Sequence, residues 1–228
     1  MFSVIFEVHP KQGQYDHYLG HGKRLRPELE RIDGFIDNIR YRSLTRDGWL
    51  LSLSGWRDEK AVVRWRIATN HHKVQEQGRT EILSDYHLRV GQVTADTEPP
   101  PGYRLHEQRL DETVAGAGTT VTLVTAKRPK HLPETANAKQ CAAFLGLNPD
   151  AAGLLAWDVF DAVLTPGDLI LMMSWRDRAA AEAFENTVPS QDGARLRRIR
   201  IVRDYGMFDR REAPQYYPDA QGRESVHS

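Results

Sequence analysis

The residues best suited to chemistry fall in one short stretch, where Trp65 is followed by the pair His71-His72. A neutral imidazole accepts a proton near physiological pH and an imidazolium returns it, so either histidine suits general acid–base work. An indole supplies a broad apolar wall for a ligand. The stretch therefore reads as a pocket, with His71 or His72 catalytic and Trp65 against the substrate. Phe6, Trp56 and Tyr86 are the further candidates for substrate contact. On an unbroken helix Trp65, Thr69 and His72 share a face, seven residues being about two turns. A kink near Thr69-Asn70 would turn His71 to that face instead, and the choice between the two stays open. The structural alternative is a core Trp65 with two solvated histidines.

Other clusters point less sharply to chemistry. His17 and His21 stand four apart, a spacing that can hold a metal on a helix, but Gly20 and Gly22 weaken that helix and no metal is expected. Arg195, Arg197, Arg198, Arg200 and Arg203 alternate in part along one segment, which reads as an ion-paired strand face or as a platform for an anion. His87 opens a strand and is given no fixed role. No Gly-x-Gly-x-x-Gly or Gly-x-Ser-x-Gly occurs, which removes the dinucleotide loop and the nucleophile elbow.

The elements that must position these residues come in two copies. Pro10-Lys11 recurs as Pro129-Lys130, Gly34-Phe35-Ile36 as Gly153-Leu154-Leu155, and Trp56-Arg57-Asp58 as Trp175-Arg176-Asp177, all at an offset of 119. Two copies make a tandem duplication rather than a solenoid. The predicted organisation is a first domain over 1–96, a linker over 97–118, a second domain over 119–209 and a frayed polar tail over 210–228, whose Tyr216-Tyr217 could pack back. Pro99-Pro100-Pro101 stiffens one end of the linker and Gly116 and Gly118 loosen the other.

Periodicity predicts strands over 2–8, 35–44, 49–56 and 86–93, the middle two joined by the turn Arg46-Asp47-Gly48. Helices are predicted over 14–32 and from an Asp58 N-cap toward Ser84. That order is β-α-β-β-α-β, the ferredoxin-like arrangement. The second copy repeats it, with strands over 120–126, 153–163, 168–175 and 197–208. Arg57 to Arg89 spans 32 residues and Arg176 to Arg200 only 24, so the second helical segment of this copy is shortened, with a loop over 186–193. In the strand before Trp56, Leu51 and Leu53 face one way and Ser52, Ser54 and Trp56 the other. The matching run Leu169-Ile170-Leu171-Met172-Met173 is apolar on both faces, so both faces are buried. The expected fold is α+β: two ferredoxin-like domains packed sheet to sheet as an α/β-barrel-like unit, with a cleft between each sheet and its long helix. The second copy has Phe184 where the first has Trp65, and no histidine matching His71 or His72, which puts the site in the first copy.

The chain has 228 residues, 40% hydrophobic and 27% charged, with Lys plus Arg and Asp plus Glu both 31. That balance suits a folded protein and argues against general nucleic-acid binding, which calls for a positive excess. A lone Cys141 excludes an intramolecular disulfide and a cysteine-based zinc site. With no basic leader and no run of about 18 apolar residues, neither targeting segment nor membrane span is expected, and a cytoplasmic location is the default.

The order of elements, with Gly55-Trp56-Arg57-Asp58, Arg64-Trp65-Arg66, His71 to Arg79 and Asp85 to Val90, resembles the antibiotic biosynthesis monooxygenase (ABM) superfamily of dimeric α/β-barrels. Ser174-Trp175-Arg176-Asp177 and Arg203 to Phe208 carry a weaker likeness in the second copy. The resemblance implies an oxygenase of a small aromatic or hydrophobic substrate, without a tightly bound organic cofactor. By motif alignment it favours His71. The family normally pairs two chains; a duplicated chain supplies both halves and leaves a homo-oligomer open. Its heme-degrading branch uses an Asn on the first strand, together with a Trp and an iron-binding His on the second helix. Ser3 to Val8 contains no Asn, so orthodox heme degradation is disfavoured while heme stays the alternative cofactor. A non-catalytic binding or stress-response module is the third reading.

Overall fold

The computed structural model describes residues 1–187 and 193–214. The first half runs β1 (Phe2–Pro10), α1 (Tyr15–Leu29), β2 (Phe35–Ser43), β3 (Leu50–Trp56), α2 (Glu59–Ile67), α3 (Thr69–Gln77), a π-helical turn (Gly78–Ile82) and β4 (Leu83–Asp96). The second runs β5 (Thr120–Lys127), α4 (Ala138–Phe144), β6 (Leu154–Ala162), β7 (Asp168–Trp175), α5 (Arg178–Glu185) and β8 (Arg195–Gly206). Both halves are β-α-β-β-α-β. Residues 188–192 of the predicted 186–193 loop, and Tyr216-Tyr217, lie outside the described residues.

The strands form a closed barrel in the order β1-β3-β2-β6-β7-β5-β8-β4. The two sheets meet at their edges, β4 along most of β8 and β2 over a short stretch of β6, so among the described residues the barrel closes and each of its strands has a neighbour on both sides. Alternation sorts the side chains. Ile5, Leu51, Leu53, Leu123, Ile170, Met172, Ile199 and Ile201 point inward and fill the barrel. The opposite faces lie under the helices, as the split between Leu51 and Leu53 and Ser52, Ser54 and Trp56 predicts. Gly48 adopts φ +72° in the β2–β3 turn, a left-handed conformation that favours glycine.

Asp58 caps α2 by accepting a hydrogen bond from Ala61 N at 2.8 Å, and Asp177 does the same for α5 from Ala180 N at 2.9 Å. The kink lies at Ala68, one residue before the predicted place. Its ψ of 128° ends α2 and starts α3. The copies also match in space less simply than one offset implies. Phe2 pairs with Trp56 and Thr120 with Trp175, so the first strands correspond one residue out of step with the third strands. Phe2 pairs with Gln92 and Thr120 with Arg200, so Arg200 answers to Gln92 rather than Arg89, and the second copy is shorter here than the match of Arg89 to Arg200 implies.

The segment between β4 and β5 is pinned to the barrel: Thr97 N donates to Leu196 O, Thr113 N to Ile201 O, and the Gln92 side chain accepts from Gln108 N and Arg109 N. The start of the tail is anchored rather than frayed. Glu212 accepts hydrogen bonds from Thr113 Oγ1, Val114 N and Asp204 N. Among the described residues no helix is long and apolar enough to cross a membrane.

A candidate active site under the helices of the first half

Between the first sheet and α1, α2 and α3 lies a cavity of about 220 Å³. Its floor is the helix-facing side of the sheet: Val4 and Phe6 on β1, Asn38 and Arg40 on β2, Ser52, Ser54 and Trp56 on β3, and Tyr86, Leu88 and Val90 on β4. Its roof carries Tyr18, His21 and Gly22 from α1, Trp65 and Arg66 from α2, and His71 and Gln75 from α3. Five of the six residues singled out from sequence therefore line one space: Phe6, Trp56, Trp65, His71 and Tyr86. The sixth, His72, is exposed and does not line it. The helical face joining Trp65 to His72 does not exist, because the break at Ala68 rotates α3 and brings His71 round.

That break builds a compact pair. The Trp65 and His71 rings stack with centroids 4.1 Å apart and planes 13° from parallel. His71 Nδ1 donates to Trp65 O at 2.9 Å, which assigns the proton to Nδ1 and leaves Nε2 as the acceptor nitrogen. The Gln75 amide nitrogen stands 3.2 Å from Nδ1 and 3.5 Å from Nε2. Burial pushes the His71 pKa down to about 4, against the Trp65 carbonyl, which favours the charged form. His71 is thus a neutral imidazole at ordinary pH.

Opposite lies a second polar group. Tyr86 meets Phe6 edge to face at 5.7 Å, and its hydroxyl oxygen accepts from Arg79 Nη1 at 3.3 Å and Arg210 Nη1 at 2.5 Å. Arg210 and Pro214, together with Tyr205 of β8, come from the second half of the chain, which therefore completes the wall. Burial pushes the Tyr205 hydroxyl up to about 12. On the floor, Asn38 Nδ2 donates to Ser52 Oγ at 3.0 Å, and Trp56 Nε1 donates to Ser54 Oγ at 2.9 Å.

The expected cleft in the second half is filled. Trp157, Val159, Leu171 and Met173 occupy the positions of Asn38, Arg40, Ser52 and Ser54. They pack with Leu145, Trp175 and Phe184 under α4 and α5. Sequence reasoning passed over Asn38, Arg40, Ser52 and Ser54 as site residues, although this polar-for-apolar exchange between copies was readable in it.

Of the remaining candidates, His21 reaches the cavity wall and pairs with Arg24, while His17 bonds Gln14. Among the described residues no group of three or more His, Cys, Asp or Glu could hold a metal ion. The arginines of β8 split between faces: Arg195 pairs with Asp96 at 2.6 Å, Arg198 with Glu185 at 2.8 Å, and Arg197 is buried.

The fold is a duplicated α/β-barrel of two ferredoxin-like halves, with a cavity under the helices of the first half that holds a histidine stacked on a tryptophan. The family model described as antibiotic biosynthesis monooxygenase matches residues 1–77. A protein of Pyricularia oryzae described as "Jasmonate monooxygenase ABM" is 49% identical over 225 residues, covering 96% of this chain and 100% of that one. A crystal structure of aldoxime dehydratase has a TM-score of 0.52 at 10% identity, covering 88% of this chain and 80% of that one, and shares the fold. A structure described as an anthrone oxidase-like protein has a TM-score of 0.33 at 14% identity, covering 90% and 92%. The chain belongs to the ABM superfamily and is an ABM-like monooxygenase.

Proposed function

We propose that the chain oxidises a small, largely apolar carbonyl compound in this cavity, with His71 as proton acceptor, Trp65 as the wall against the reacting carbon, and no tightly bound organic cofactor. The observation that carries the reading is the neutral, half-buried His71, its Nδ1 fixed on Trp65 O at 2.9 Å and Nε2 left as the acceptor. Phe6, Trp56 and Tyr86 complete the apolar walls. The Pyricularia oryzae relative is named for jasmonate, and the overlap of the two chains supports a jasmonate-like cyclic ketone as substrate here.

The chemistry balances without an outside reductant. Nε2 takes a proton from a carbon beside the carbonyl, and the resulting anion gives two electrons to dioxygen as a C–O bond forms. The peroxide takes the proton back from His71. Loss of water from the hydroperoxide leaves a new carbonyl, with one oxygen atom in the product and one in water. The protein contributes the base, the orientation and a space that excludes solvent.

Oxygen uptake with jasmonic acid tests this, with one atom of labelled oxygen expected in the product and no requirement for added flavin, nicotinamide or heme. His71→Gln should slow uptake by about 10²- to 10⁴-fold while leaving ligand binding in place. Uptake that appears only after hemin is added, with a Soret shift lost in His71→Gln, would overturn the cofactor-free reading in favour of heme.

A further inference from the structure

The floor of the cavity has a charged end that the oxidation does not use. Arg40 lies on β2 with Nε buried and without a hydrogen-bond partner among the described residues. The Tyr18 hydroxyl engages Arg40 and Ser52 from the roof. Directly above is Gly22 of α1, where an added Cβ would stand 2.3 Å from Arg40 Nη2. A glycine inside a helix costs stability relative to alanine, and here it makes room for the guanidinium. Among the described residues no aspartate or glutamate lines the cavity, whereas Arg40, Arg66, Arg79 and Arg210 do. Val159 holds the position of Arg40 in the filled half. A guanidinium set into an apolar pocket without a carboxylate partner is an arrangement completed by an anionic ligand.

We propose that Arg40, seated against Gly22 and beside Tyr18, binds the carboxylate of the substrate, so that the chain selects apolar carboxylic acids over their esters. This rests on the cavity of the proposed function but not on turnover. Arg40 acts here as a specificity residue, fixing one end of the ligand while the apolar body extends toward Trp65 and His71. A planar donor fork suits a carboxylate bidentately and offers nothing comparable to a methyl ester.

The test compares jasmonic acid with methyl jasmonate, by calorimetry and by quenching of Trp56 and Trp65 fluorescence, with turnover measured separately. The wild-type chain should bind the acid at least about tenfold more tightly than the ester. Arg40→Leu should remove that preference by weakening the acid alone. Gly22→Ala should do the same by driving the guanidinium from its seat, while the helix gains rather than loses stability, which separates the effect from misfolding. In kinetics both variants should raise KM for the acid and leave kcat within about threefold. Equal binding of acid and ester by the wild type, including no binding of either, overturns the proposal, as does an equal loss for both ligands in the variants. Selective acid binding without any oxygen uptake would defeat the oxidation reading and leave the anion site standing.

Discussion

Trp65 and His71 stack at 4.1 Å across a break in the helix, and the carbonyl oxygen of the first holds the Nδ1 proton of the second. One residue thus fixes both the ring plane and the tautomer of the other. His71→Gln should lower kcat by about 10²- to 10⁴-fold, the usual contribution of a positioned base. His72→Gln, on the exposed side of α3, should leave kcat unchanged. Trp65→Phe keeps the carbonyl but narrows the stacking partner, and should cost less than His71→Gln. Oxygen-uptake kinetics on the three variants decides the matter. An effect of His72→Gln as large as that of His71→Gln would sink the assignment.

The two histidines with displaced pKa values predict opposite slopes of stability with pH. His71 is held at about 4 by burial, below its ordinary 6.5. Below pH 6.5 the unfolded chain takes a proton that the folded one refuses, so stability falls between about 6.5 and 4. His87 is raised to about 9: burial opposes its charge, but the hydrogen bond to Asp204 at 2.6 Å and the nearby Glu7 carboxylate at 3.6 Å outweigh it. Its contribution is complete below 6.5 and is lost as pH rises through about 9. Urea midpoints from pH 4 to 9.5 should therefore peak near 6.5. His71→Gln should flatten the acid limb and His87→Gln the alkaline limb. An alkaline limb unchanged in His87→Gln contradicts the second half of this.

Much of this site was legible before the fold was. Aromatic and imidazole residues announce themselves by type, and five of the six chosen so line one cavity. The choice between His71 and His72 was not legible, because it turns on ψ at a single alanine with no Gly or Pro to mark it. The first-strand slip was hidden because the match of Pro10-Lys11 to Pro129-Lys130 falls at and past the strand ends, where it keeps an offset of 119, whereas the paired residues Phe2 and Thr120 are 118 apart, and a one-residue shift exchanges every face of a strand. The barrel halves themselves were legible, since duplicated Trp-Arg-Asp segments mark the same strand end and the same helix cap twice.

A buried ion network ties the halves together through the barrel. Arg89 Nη2 meets Glu7 Oε2 at 2.7 Å, with both side chains buried, and Arg89 Nη1 donates to Ser174 Oγ at 2.8 Å. Arg46 bridges Glu7 at 2.6 Å and Asp158 at 2.7 Å. Burial raises the Glu7 pKa, but Arg89, His87 and Arg46 overcome it and hold the carboxyl well below its ordinary value. Glu7→Gln leaves two guanidinium groups facing a neutral amide. It should destabilise the chain by about 3–5 kcal/mol, measured by urea unfolding. Replacing Glu7 by Leu and Arg89 by Met together should recover a large part of that, because no charge is left unpaired. A loss under about 1 kcal/mol in Glu7→Gln would show the network to be solvated.

The second half of the chain supplies its own control for the cavity. Ser52 and Ser54 occupy the positions held there by Leu171 and Met173, which are buried beneath α4 and α5 in one apolar cluster with Leu145, Trp175 and Phe184. Converting the first half toward the second, as Ser52→Leu with Ser54→Met, places apolar bulk where the ligand would lie. Each added side chain gains about 1.5–3 kcal/mol from burial, opposed by the loss of the Asn38–Ser52 and Trp56–Ser54 hydrogen bonds at about 1 kcal/mol each. The double variant should therefore fold with stability at or above that of the wild type and lose ligand binding by at least about tenfold. Calorimetric unfolding and acid binding on the same sample test both at once. A stable variant that still binds would move the ligand out of this cavity, and with it the roles given to His71 and Arg40.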